Sequence, residues 1–130
     1  MDYQEFFIET GRLFYAIGMA DGAIQPDERS KMLGIIRENL KELESSSDAF
    51  GTANAYYTEF EIERLIDFNV SSKEAFRSFL DFVAENEQEI DMNLRKLIVQ
   101  MAENVAESWN GIEKGEADLI DLLRRKLKIV

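Results

Sequence analysis

Asp21 and Glu28 are the residues whose type and spacing best suit chemistry. Asp21 closes one helical pattern and Glu28 falls in the first turn of the next, with Gly22 and Pro26 turning the chain between them. The fold-back brings two carboxylates toward one point, where main-chain carbonyls of the bend add oxygen donors. Hard divalent cations (Ca²⁺, Mg²⁺ or Mn²⁺) accept such mixed shells. Asn110 and Glu116 form a poorer second copy, because Asn110 offers a neutral oxygen where Asp21 offers a charge; Glu113 lies between them. The same residues also have a purely structural use. With Pro26 opening its helix, Glu28 is the third residue and reaches back to cap N–H groups, while Asp21 bonds the N–H groups of its own turn. Capping is the weightier reading, and neither makes a cofactor obligatory.

Composition removes most alternatives. The chain has no His and no Cys, which excludes disulfides, Cys/His zinc sites, Ser-His-Asp triads and Glu-x-x-His di-iron motifs. An EF-hand counted from Asp21 fails: its third and fifth positions are Ala23 and Gln25, and its twelfth is Met32. No Gly-rich phosphate loop occurs. Paired carboxylates perform glycosidase-type chemistry only in a cleft, which nothing in the sequence marks. Lys and Arg number 15 against 26 Asp and Glu, a net charge of −11, so nucleic acid is not an expected partner. The acidic run 85–91 reads as a solvated helix end, or as a surface for a cation or a basic partner. No apolar stretch is long enough to span a membrane, and the first residues carry acids rather than the cations of a signal peptide. A cytoplasmic location is therefore expected.

Helical periodicity supplies the elements that must hold these residues. The first helix spans about 3–20, with Phe6, Phe7, Thr10, Leu13, Phe14 and Ile17 on one buried face. Gly11 and Gly18 on its flank mark either the close approach of another backbone or tolerated surface glycines. A second helix runs over about 26–43 with Met32, Leu33, Ile36 and Leu40 inward. After a polar break at 44–48 the pattern is ambiguous. Residues 57–63 alternate like a strand, but a lone strand leaves its backbone groups without partners, so a helix over about 55–67 is preferred. Ser71 and Glu74 form a capping box for a helix ending near Glu89, with Phe76, Phe79, Leu80 and Val83 inward. Helices follow over about 92–108, with Leu94, Leu97, Ile98, Met101, Val105 and Trp109 inward, and over about 116–128, burying Leu119, Ile120, Leu123 and Leu127. Four cations, Arg124, Arg125, Lys126 and Lys128, collect at the negative end of that last helix. The expected fold is all-α, one domain over 1–130.

The two bends are also similar to each other. Ala20-Asp21-Gly22, Ile24 and Glu28 are echoed by Trp109-Asn110-Gly111, Ile112 and Glu116, and the spacing of Leu33, Ile36 and Leu40 returns in Ile120, Leu123 and Leu127. This predicts two helical hairpins packed as pseudo-symmetric halves. The stretch from Phe14 through Ala20-Asp21-Gly22-Ala23-Ile24 to Glu28 resembles the tellurite-resistance TerB family, whose pattern is a helix ending in Ala-Asp-Gly, then Ile, then a Glu opening the next helix. The resemblance implies a bundle of about six to seven helices with pseudo-symmetric halves and no established catalysis. It implies divalent-cation ligands at Asp21 and Glu28, then at Asn110 and Glu116. It also implies a stress-response setting with membrane-associated partners, since relatives include the cytoplasmic region of a membrane-anchored J-domain co-chaperone. Asn110 departs from the family's acid, and residues 45–57 follow no family pattern.

The expected function is therefore a non-enzymatic binding protein. In one form it uses a divalent cation at the acidic bends. In the other it is purely a protein-interaction module, for which Tyr56, Tyr57 and Trp109 are the first aromatics to consider.

Overall fold

A computed structural model describes residues 1–20, 24, 28–46, 51–110 and 114–129. Six α-helices make up the described residues: α1 (Tyr3–Gly18), α2 (Arg29–Ser46), α3 (Gly51–Asp67), α4 (Ser72–Glu85), α5 (Met92–Asn110) and α6 (Lys114–Lys126). The expected all-α bundle is thus observed. The strand-like alternation at 57–63 lies inside α3. That helix begins a turn earlier than its periodicity predicts, and α4 stops at Glu85, short of Glu89. Among the described residues no helix is long and apolar enough to cross a membrane.

Local chemistry sets the ends. The Asp2 carboxylate accepts from the N–H of Gln4 at 2.9 Å and starts α1, and the Ser71 hydroxyl accepts from the N–H of Glu74 at 3.1 Å, as the capping box predicts. Asp91 does the same for α5 through the N–H of Leu94 at 2.8 Å. After α3, Asn69 turns left-handed (φ 51°), and the N–H of Val70 bonds the carbonyl of Leu65. After α6, Lys128 takes the same conformation (φ 59°) and the N–H of Ile129 bonds the carbonyl of Arg124. Both are Schellman closures built without glycine.

The expectation that needs correction is the single buried face of α1. Phe6, Phe7, Leu13, Phe14 and Ile17 are fully buried as predicted, but Glu9, Gly11, Tyr15 and Ala16 are buried too. The reason is topological. The first helix packs most extensively on α3 and α4 and also meets α5 and α6, so it has almost no solvent side. Of the two expected hairpins, α5 and α6 pack on each other, whereas α2 lies on α3 and α5. Polar atoms on α1 are satisfied by its neighbours: the Tyr15 hydroxyl donates to the carbonyl of Val70 at 2.5 Å, and the Ser72 hydroxyl donates to that of Ala16 at 2.7 Å. A second correction concerns Leu80, Leu94, Leu97 and Leu119. The periodicity turns all four inward, yet all four are only half-buried.

Gly11 is where α3 crosses closest. A Cβ there would lie 2.8 Å from the carbonyl oxygen of Thr58, whose own hydroxyl donates across the crossing to the carbonyl of Phe7 at 2.7 Å. Gly18 instead accommodates the flexible end of Met32. At Gly34, inside α2, a Cβ would meet nothing within 4 Å. Urea unfolding should therefore separate the two substitutions. Gly11→Ala should lose about 1–2 kcal/mol, overpacking outweighing the helix propensity gained, whereas Gly34→Ala should gain about 0.5–1 kcal/mol.

Candidate functional site

Three of the four sequence-predicted ligands, Glu28, Asn110 and Glu116, lie in described structure, at or near helix ends. Glu28 is half-buried in a single 3₁₀ residue immediately ahead of α2, and Glu116 is the third residue of α6, 2% exposed. Both already engage in interactions of their own. Asn110 is the last residue of α5. Asp21 lies outside the described residues, so its convergence with Glu28 does too. Among the described residues no group of three or more acidic side chains is arranged to hold a metal ion.

The helix ends that flank the two bends are nevertheless in contact. Lys31, in the first turn of α2, donates its Nζ to the carbonyl of Trp109 at 2.9 Å and sits 5.0 Å above the Trp109 ring. This ties the start of α2 to the end of α5. Trp109 is consequently 3% exposed, not a docking aromatic; Tyr56, at 64%, is one of the exposed ones. The acidic run 85–91 is largely a structural turn. Glu87 pairs with Lys128, whose hydrogen bond holds the Glu87 carboxyl below its ordinary value, and Glu89 pairs with the amine of Met1.

Sequence reasoning missed a buried ionic cluster where α1, α3 and α4 meet. The Arg12 guanidinium donates to Glu9 at 2.5 Å, to Glu61 at 2.6 Å and to the Ser78 hydroxyl at 2.7 Å. Arg64 grips Glu61 with two bonds, at 2.7 and 2.9 Å, and Ser78 donates to Glu9. Glu9 and Glu61 are each 5% exposed. The available signal was opposite charges three residues apart in both helices, but that spacing usually marks a surface pair. Burial pushes the Glu9 carboxyl above its ordinary value, and the bonds from Ser78 and Arg12 offset only part of that. Burial acts on Glu61 in the same sense, but the bonds and charges of Arg64 and Arg12 outweigh it and hold the carboxyl below its ordinary value.

The largest concavity among those described is a groove of about 630 Å³ between α4 and α6. Leu80 and Leu119, two of the four core-patterned leucines left half-buried, are in its walls, with Phe76 and Leu122. Its lining also includes Ala20, beside the first bend, and Gly115, beside the second. Lys73, Arg77 and Lys126 supply three cations to the lining and Asp81 one anion. Helices α4 and α6 run in the same sense along it. Their C-terminal ends meet through the Glu87–Lys128 pair and through Arg95, which donates to the carbonyls of both Glu87 and Leu127.

The ionic cluster makes opposite pH signatures. Glu61 titrates lower in the folded chain, so its stabilisation is present above the ordinary carboxylate range and is lost as pH falls through its depressed folded value. Glu9 titrates higher when folded, so its contribution is full at low pH and is lost as pH rises through its elevated folded value. In denaturant unfolding followed from about pH 3 to 7, Glu61→Gln should flatten the acid-side loss of stability, and Glu9→Gln should remove the opposing loss.

Comparison with protein-family models, with curated proteins and with solved structures finds no match to this chain.

Proposed function

We propose that this chain is a non-enzymatic binding module, a TerB-like adaptor of the stress-response kind that its Ala-Asp-Gly bend implies, which holds a protein partner in the α4/α6 groove. The observation that carries the binding reading is the groove itself. Its volume lies in the range of ligand-holding clefts, and its walls are mainly apolar, with a few charged side chains among them. Leu80 and Leu119 have the periodicity of core residues yet stay half-open to solvent, as a surface does that is completed by another molecule. A photoreactive phenylalanine analogue at position 122, introduced in cells, should give discrete protein adducts. The same analogue at Lys96, exposed on α5 outside the groove, should not. Equal labelling at both positions, or none at 122, would count against an adaptor.

A second reading places a hard divalent cation at the acidic bends, with Asp21 and Glu28 as principal ligands and Asn110 and Glu116 as the weaker pair. The Lys31–Trp109 contact supports it, because it joins the start of α2, next to Glu28, to the end of α5, which closes on Asn110. Calorimetric titration with Ca²⁺, Mg²⁺ and Mn²⁺ should show saturable heat that Asp21→Asn abolishes and Glu116→Gln weakens. No heat at millimolar ion would remove this reading and leave Glu28 and Glu116 as helix-start residues alone.

A further inference from the structure

Resting on the adaptor reading, we infer that the occupant of the α4/α6 groove is an amphipathic helix of about three turns with acidic flanks, contributed by a partner protein. Three observations identify it.

The first is spacing. Lys73, Arg77, Leu80 and Ala84 follow one another along α4 in steps of four, three and four residues. Gly115, Leu119, Leu122 and Lys126 repeat the same steps along α6. That is the period of a seam that receives the side chains of a packed helix, and it is present on both walls at once. The second is shape. The two walls run in the same sense, and each seam extends about 16 Å at 1.5 Å per residue. Helices α4 and α6 are not among the closely packed helix pairs of the bundle, so the furrow between them is wide enough for a ridge of side chains to enter. Gly115 and Ala84 keep parts of both walls low.

The third is charge. The chain carries 26 acids against 15 bases, yet the groove collects Lys73, Arg77 and Lys126 against Asp81 alone. None of these three cations makes an ion pair among the described residues, whereas Arg12, Arg29, Arg37, Arg64, Arg124 and Lys128 all do. Lys73 and Arg77 stand at one end of the α4 wall and Lys126 at the opposite end of the α6 wall. A helix lying in the furrow with its leucine-type stripe downward therefore meets a cation on each flank. Glutamates or aspartates bordering that stripe complement both, and lysines there are repelled.

The test uses two stapled three-turn peptides. They share a leucine stripe in four-three-four steps and differ only in bordering glutamates or bordering lysines. Fluorescence anisotropy against the full chain should show saturable binding of the glutamate peptide, weakening as salt is raised. Its lysine twin should bind at least about tenfold more weakly. Leu119→Asp, and separately the double reversal Lys73→Glu with Arg77→Glu, should each weaken the glutamate peptide by about tenfold or more. The double reversal alters only side chains at the groove surface, so the test stands even if Leu119→Asp unfolds the bundle. Equal affinity of the two peptides, with binding still lost in Leu119→Asp, would overturn the acidic-helix inference and leave the adaptor reading intact. Absence of binding by either peptide, together with no adduct at position 122, would overturn both. A concentration-dependent dimer of the chain, abolished by the double reversal, would make the occupant a second copy and overturn a separate partner.

Discussion

Burying α1 on nearly every side is the constraint from which the rest of the bundle follows. A helix enclosed by α3, α4, α5 and α6 cannot present a polar stripe to water, yet this one carries Glu9, Thr10, Arg12 and Tyr15. Each must find its partner inside. Thr10 bonds back to the carbonyl of Phe6, Tyr15 reaches Val70, and Arg12 is held by Glu9, Glu61 and Ser78. Among the described residues no buried side-chain polar atom lacks a hydrogen-bond partner. Buried ion pairs contribute little net stability over apolar packing, but they are costly to leave half-made. The cluster ties three helices at one point: Glu61 of α3 and Ser78 of α4 both meet Arg12 of α1.

Much of this architecture was legible in the residues. Helix type, the Ser71 cap and most inward positions follow from a 3.6-residue period and from elementary end chemistry. The start of α3 was not legible, because Gly51, Thr52 and Asn54 are poor helix formers. Nor was the all-round burial of α1, since periodicity reports the strongest apolar stripe and says nothing of how many neighbours a helix has. Gly11 was legible as a question with two answers, and the carbonyl of Thr58 gives the answer. The ionic cluster was invisible because Glu9–Arg12 and Glu61–Arg64 look like any solvent-facing pair until the two helices cross.

The same limit explains the groove. Leu80 and Leu119 belong to apolar stripes, and a stripe cannot reveal whether its last residue meets a neighbouring helix or open space. Helices α4 and α6 direct Phe79 and Leu123 into the common core, while Leu80 and Leu119 line the groove between them. The acidic bends present the converse case. Their residues were conspicuous in sequence, and the contact between Lys31 and Trp109 places the corresponding helix ends together.

Arg95 gives the turn after α4 a different character from its side-chain content. Its guanidinium grips the main-chain carbonyls of Glu87, Ile90 and Leu127, so it adds a tie to backbone beside the Arg124–Glu103 and Lys128–Glu87 ion pairs. A mooring of this kind is indifferent to which residues decorate the turn. The corner between α4 and α5 is thereby a permissive site, where surface charge can drift during evolution while the arginine's grip on the end of the final helix is kept.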